Sequence, residues 1–404
     1  MYILASVLVS ALGSGKVEHL SALKNQRSAL HKKTQFHKCI PNIKTYIGEV
    51  EGVESIELPL ELKKYTCRNN QLAWKALQVD GFLEKVEGLI EQFGAHRIGL
   101  VVGTSTSGIA ETEAVFSGEL KQQDFDYSAT HQMDSLVMFC SQALHINGPN
   151  FVISTACSSS AKVFAVAQRW LDNDIVDALV VGGVDSLCLT TLHGFNSLGL
   201  VSETICKPLD AQRDGINVGE AASFMLLSNN IDTEAEGVKI VGVGESSDAF
   251  HISTPHPEGQ GASIAMQAAI DQAGIQFNDI DYINLHGTAT PSNDISEISA
   301  LAQHLTEESD LWISSTKGFT GHTLGAAGIT EIIFCQWALE AQRVPANLNL
   351  QTLDVEIENK LLGFDVKIAG ENPEEENIQL RYVMSNSFGF GGNNASVILQ
   401  GALR

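Results

Sequence analysis

Basic residues are scarce in this chain. Its 404 residues hold 25 Lys and Arg against 48 Asp and Glu, a net charge of −23. Binding nucleic acid or an anionic membrane rests on clustered Lys and Arg, so both partners are unexpected. Cysteine is sparse and odd in number: seven residues, at 39, 67, 140, 157, 188, 206 and 335, with no CxxC pair. That excludes a disulfide framework and a zinc ribbon, and makes a reducing cytoplasm the expected setting. Long apolar runs are missing too. No stretch reaches the roughly 18 residues of a membrane span. The opening MYILASVLVSALGSG has no positively charged start and no clear cleavage site, so it reads as a buried first strand entering a Gly turn. No HExxH or tight His/Cys spacing occurs, and no metal is expected. Gly13-Ser-Gly-Lys16 is not a phosphate loop, because Ser10 stands where the first Gly belongs and Val17 follows the Lys.

What remains is an ordinary globular composition, 44% hydrophobic and 18% charged. Short β-rich runs alternate with helical ones. Ile98–Gly103, Phe151–Thr155, Ala178–Gly183, Phe224–Ser228, Val238–Val243, Tyr282–His286, Trp312–Ser315 and Ala395–Gln400 read as strands. Val/Ile runs bounded by Gly suit strands covered on both faces. Val163, Val166, Ala167, Trp170 and Leu171 follow helical spacing. Further helices are expected over 263–273, 295–303 and 326–341. Alternation of this kind predicts an α/β fold with a largely parallel sheet. The polar segment Asn229–Gly237 reads as a junction between two similar halves, 1–232 and 233–404. Glu371–Asn377 reads as a charged surface loop.

Four segments carry chemistry. In Ser154-Thr-Ala-Cys157-Ser-Ser-Ser160 a strand ends and a small-residue turn presents Cys157 at a helix start. The positive end of a helix favours thiolate over thiol, although a free Cys is often only a core residue. Ile283-Asn-Leu-His286-Gly-Thr288-Ala-Thr290 delivers a His into a Gly/Thr turn. Lys317 and His322 share a Gly-rich loop before an apolar helix carrying Glu331. Asn386-Ser-Phe-Gly-Phe390-Gly-Gly-Asn393 suggests backbone close to a ligand. It does not open a helix, so a dinucleotide fingerprint is not expected.

Together with ALGSG, KPLDAQRDG and SSDAFHISTP, these segments resemble, along essentially the whole chain, the β-ketoacyl-acyl carrier protein synthases of fatty acid and polyketide synthesis. The resemblance implies a thiolase-like αβαβα five-layer sandwich of two related halves, and a dimer, either a homodimer or a heterodimer with a chain-length factor. It implies a decarboxylative condensation of an acyl chain with malonyl-acyl carrier protein, with no bound cofactor and phosphopantetheine supplied by the acyl carrier protein. Carried onto this chain, Cys157 takes the acyl group, and the backbone N–H groups of Cys157 and Phe390 form the oxyanion hole. His286 and His322 promote decarboxylation, and Lys317, paired with Glu331, orders the site. Thr288 and Thr290 bind the pantetheine arm, Phe390 gates the acyl pocket, and Asp248 orders a water.

The chain departs from the fatty-acid pattern in places. Ser158-Ser-Ser-Ala-Lys162 looks more like polyketide ketosynthases, Gly219-Glu-Ala-Ala222 replaces the usual GEG, and His193, beside Phe195 in the acyl-pocket stretch 190–196, is unusual. With Arg68-Asn-Asn-Gln71, these point to a specialised pathway of the aryl polyene type. Because carrier proteins are acidic, Lys63, Lys64, Arg68 and Arg213 are the expected docking cations. A non-catalytic chain-length subunit would lack Cys157. A thiolase would carry Cys in place of His322. A Cys–His thioester hydrolase remains as an alternative.

Overall fold

The computed structural model describes residues 1–32, 35–40, 42–230, 237–370 and 378–402. Strands β1 (Tyr2–Ser10), β2 (Ile98–Gly103), β3 (Asn150–Ile153), β4 (Ala178–Asp185) and β5 (Ala221–Ser228) lie in the order β3-β2-β4-β5-β1. Strands β6 (Lys239–Ser247), β7 (Tyr282–Asn284), β8 (Asp310–Ser314), β9 (Asp365–Ile368), β10 (Tyr382–Gly389) and β11 (Asn393–Gln400) lie in the order β9-β8-β7-β10-β11-β6. With β9 set aside as an added edge, both halves run third, second, fourth, fifth, first. The strands that open each half, β1 and β6, meet antiparallel at Tyr2 and Lys239, so one sheet runs through the molecule.

Side chains alternate along each strand as the pleat requires. Leu100 and Val102 pack on one face with Leu72 and Phe139, whereas Val101 packs on the other with Phe164 and Ile329. In the second half Ile398 faces Met266 and Ile298, while Val397 and Leu399 join Val101 in the shared cluster. That shared cluster is built around two helices, Ser159–Asp172 and Ala327–Ala341, which touch strands of both halves. Every residue from Ala327 to Leu339 is buried, as expected for a helix apolar on all sides. Helices Arg68–Leu77, Phe82–Phe93 and Asp134–Ala143 cover the outer face of the first half, and Gln260–Ala273, Pro291–Ala302 and Val355–Leu361 that of the second. The five layers of the expected sandwich are thus present.

The sheet is mixed rather than largely parallel. Strands β3, β2 and β4 run parallel, as do β9, β8, β7 and β10, but the last pairings of each half are antiparallel. Only Phe390–Gly392 separates β10 from β11. A parallel return needs a dozen or more residues, so this connection can only be a hairpin. The ALGSG turn leads directly into a helix, Gly15–Lys24. Among the described residues no helix is long and apolar enough to cross a membrane. The expected boundary at 232/233 and the charged segment 371–377 lie outside the described residues.

The two central helices meet where Gly328 faces Ala161. A Cβ on Gly328 would fall 2.6 Å from the Ala161 nitrogen. Gly328→Val should therefore lower stability by about 1–3 kcal/mol through overpacking. Gly88→Ala, with nothing within 4 Å of its new Cβ, should raise it by about 0.4–1 kcal/mol. Thermal melts of the two variants check the contrast.

Candidate active site

Cys157 sits on a strained elbow. Ala156 before it has φ 53°, a left-handed conformation that costs a non-glycine residue energy. Neighbouring serines hold the turn: Ser159 Oγ donates to the Ala156 carbonyl (2.6 Å), Ser158 Oγ donates to the Thr155 carbonyl (2.9 Å), and the Thr155 N–H donates to Ser159 Oγ (2.9 Å). Only small side chains fit, because a Cβ on Gly103 would lie 2.5 Å from the Ser160 nitrogen. The helix begins at Ser159, immediately behind the thiol.

His286 lies two residues beyond the end of β7. The Glu297 carboxylate pins its loop by accepting the N–H groups of His286 and Gly287, each at 2.8 Å. The loop then turns through Ala289 at φ 65°. His322 follows the short Lys317–Thr320 helix, and Leu324 beyond it has φ 55°. All three loops thus carry a left-handed, non-glycine residue near the chemistry.

The side chains converge. His322 Nε2 lies 3.1 Å from Cys157 Sγ, and the two imidazole rings stand edge to face, 5.4 Å apart. Lys317, 1% exposed, pairs with Glu331 and places Nζ 3.5 Å from His286 Nδ1. An ammonium has no lone pair, so Nδ1 of His286 accepts. The backbone N–H of Leu324 donates to Nδ1 of His322 at 3.2 Å, so that Nδ1 accepts as well. Each neutral ring therefore carries its proton on Nε2 and presents an N–H donor to the cleft.

Electrostatics keep the rings neutral. Burial, reinforced by the Lys317 charge, holds both imidazoles well below the ordinary histidine value. Burial also lifts the Glu331 carboxyl to about 7, against the pull of Lys317. The thiol behaves differently from the sequence expectation. Burial pushes Cys157 up to about 11, outweighing the opposing effects of Lys317 and of the Phe390 and Cys157 backbone N–H groups. The resting group is a thiol. The donor atoms of Cys157, His286 and His322 lie within 4.8 Å of one another, close enough for a metal ion. The Lys317 ammonium against His286 opposes a cation there.

A cleft of about 610 Å³, partly open to solvent, opens onto this cluster. Asp248, Thr288, Thr290, Phe195 and Phe390 line it. Thr288 and Thr290 hydroxyls are 2.9 Å apart, and Phe195 packs edge-on against Phe390 with centroids 5.5 Å apart. His193 is exposed and does not line the cleft. Two expected docking cations are already paired with carboxylates, Arg68 half-buried and Arg213 buried. Arg68 is bound to Glu220 through two guanidinium hydrogen bonds, and Arg213, 6% exposed, bonds Asp354 and lies 3.5 Å from Asp294. Lys63 and Lys64 are exposed. Sequence reasoning missed Glu297, whose acid residue carries no local signal of the loop it holds.

Residues 23–232 match the model of the β-ketoacyl synthase N-terminal domain, and residues 238–351 that of its C-terminal domain. The chain is 32% identical over 373 residues to a 3-oxoacyl-[acyl-carrier-protein] synthase 2 of Staphylococcus aureus, covering 86% of this chain and 88% of that one. It is similar to a ketosynthase (ApeO) solved in complex with its chain length factor (ApeC) from Xenorhabdus doucetiae, at 34% identity and TM-score 0.87, covering 99% and 98% of the two chains. A β-ketoacyl synthase from Burkholderia phymatum matches at 27% identity and TM-score 0.85, covering 100% and 99%.

Iodoacetamide alkylation of Cys157 should accelerate about tenfold per pH unit through the neutral range, because only the thiolate reacts. Lys317→Ala should slow it at any given pH, since removing the cation raises the thiol further. A rate plateau below pH 8 would contradict the buried-thiol assignment.

Proposed function

The chain belongs to the β-ketoacyl synthase family, and we propose that its cleft performs the family's two half-reactions with the residues gathered there. The enzyme is a condensing acyltransferase, and its acyl chains arrive on the phosphopantetheine of acyl carrier protein. In the first half-reaction the Cys157 sulfur attacks the acyl thioester. Its proton leaves with the departing phosphopantetheine sulfur, and the Cys157 and Phe390 N–H groups receive the developing oxyanion. In the second, malonyl-carrier protein loses carbon dioxide. Its thioester oxygen takes up the charge opposite the Nε2–H donors of His286 and His322. The resulting carbanion attacks the acyl carbon on Cys157. The released sulfur takes a proton, and 3-oxoacyl-carrier protein leaves. The observation that carries this reading is the pair of donors set beside one thiol, with both Nδ1 atoms already occupied.

Further roles follow from the lining. Thr288 and Thr290 hydrogen-bond the pantetheine arm, Lys317 and Glu331 hold His286, Asp248 orders a water, and Phe390 gates the acyl pocket. Phe195 contacts the acyl chain, whereas His193 is exposed and stands apart from the cleft. Lys63 and Lys64 are the remaining cations for carrier docking. The likeness to a ketosynthase solved with its chain length factor favours a heterodimer over a homodimer. The Ser158–Lys162 stretch, with the other departures and Arg68–Gln71, favours a specialised pathway of the aryl polyene type, and the odd set of seven Cys without a CxxC pair favours a reducing cytoplasm. The two catalytic halves divide near 232/233.

Intact-protein mass spectrometry tests the reading. Saturated, 2,4-dienoyl and aryl-conjugated acyl-carrier proteins are offered first, then malonyl-carrier protein. An acyl adduct on Cys157 that passes into a ketoacyl product is expected, with the polyenoyl or aryl donor preferred. Cys157→Ala should lose the adduct and keep its melting temperature. His322→Ala should still acylate and lose most condensation. Decay of the adduct to free acid would make the protein a hydrolase.

A further inference from the structure

The Asp185 carboxylate is fully buried at the end of β4, in the first half of the molecule. It accepts hydrogen bonds from two directions. From the loop after β2 come the Thr104 hydroxyl (2.6 Å), the Thr106 N–H (3.0 Å) and hydroxyl (2.9 Å), and the N–H and hydroxyl of Ser105. From the second half comes one donor, the Gly325 N–H, 2.6 Å from Oδ2. That N–H lies one residue past Leu324, whose own N–H fixes Nδ1 of His322. A Cβ on Gly325 would stand 2.7 Å from Oδ2 and 2.8 Å from the Ser105 nitrogen, so the approach requires glycine. The carboxylate charge also reaches the site, since it raises the Cys157 thiol.

We propose that Asp185 is a positioning residue for the condensation step: its carboxylate tethers Gly325 across the two halves and so aims the His322 Nε2–H into the cleft. The inference deepens the role proposed for His322 and rests on it. The tether is specific to an acceptor at Oδ2. An amide in its place would set an N–H against the Gly325 N–H, or flip and lose the Thr104 and Thr106 contacts to Oδ1. Displacing a catalytic group by about 1 Å can cost roughly 10²-fold in rate.

The test uses Asp185→Asn, Asp185→Glu and Gly325→Ala, with His322→Ala as reference. Acylation of Cys157 and condensation with malonyl-carrier protein are measured separately. Asp185→Asn and Gly325→Ala should each lower condensation by about 10²-fold while acylation stays within about threefold. Asp185→Glu should recover part of the loss, because it restores an acceptor. Asp185→Asn should also alkylate faster with iodoacetamide at fixed pH, since removing a negative charge favours thiolate; that rate reports the lost charge, while the split between condensation and acylation reports the lost tether. Gly325→Ala keeps that charge, so it tests the tether even if Asp185→Asn fails to fold. Condensation retained in Gly325→Ala, or acylation and condensation falling together in both variants, would overturn the proposal. If His322→Ala itself condensed normally, the reading of His322 would fail instead.

Discussion

The close approach of two buried helices sets everything else at the centre of this molecule. Ser159–Asp172 belongs to the first half and Ala327–Ala341 to the second, and they can touch only because Ala161 faces Gly328. Cys157 stands just before the first helix and His322 a few residues before the other. The backbone N–H of Ile329 donates to Ser160 Oγ across the contact at 3.1 Å. Small residues in this region are therefore a distance constraint. A larger side chain at the contact would move the thiol and the imidazole apart together with the helices that carry them.

That constraint creates an electrostatic one. Because the halves close over the site, the Cys157 thiol, both imidazoles and the Glu331 carboxyl are desolvated, and burial is the first cause that shifts each of these four towards its neutral form. One cation remains, Lys317, held by Glu331. It lowers the basicity of both imidazoles and partly offsets the penalty on the thiol. Burying such a pair gives little net stability. Its use here is to occupy Nδ1 of His286 and to fix which nitrogen carries the proton.

Much of this was legible in the sequence, for a physical reason. Cys157, His286, Lys317 and His322 sit in turns of small residues after strands, and local sequence specifies such turns directly. Strand β10 was not legible. Its Ser385, Asn386 and Ser387 are buried polar residues, so the run lacks the apolar signature of a strand. Arg68 and Arg213 looked like docking cations because their best-placed partners lie far along the chain, Glu220 for Arg68 and Asp294 and Asp354 for Arg213, although Arg68 also reaches the nearer Glu49 and Glu54. His193 and Phe195 were read as one pocket wall. They are two apart on the helix Leu189–Ser197, and such residues do not share a face. Asp185 and Glu297 gave no signal, since an acid's meaning depends on the backbone N–H groups that find it.

The lowered basicity of the two imidazoles also separates condensation from hydrolysis. A hydrolase must take a proton from water, which needs a base whose pKa lies near the working pH. Rings held well below the ordinary histidine value are poor at that task. They are suited to the opposite one, because a neutral Nε2–H can stabilise negative charge on a carbonyl oxygen without giving up its proton. An acyl group on Cys157 would then survive in the presence of water and yield to a carbanion generated beside it. The same burial that raises the thiol would protect a thioester formed on it.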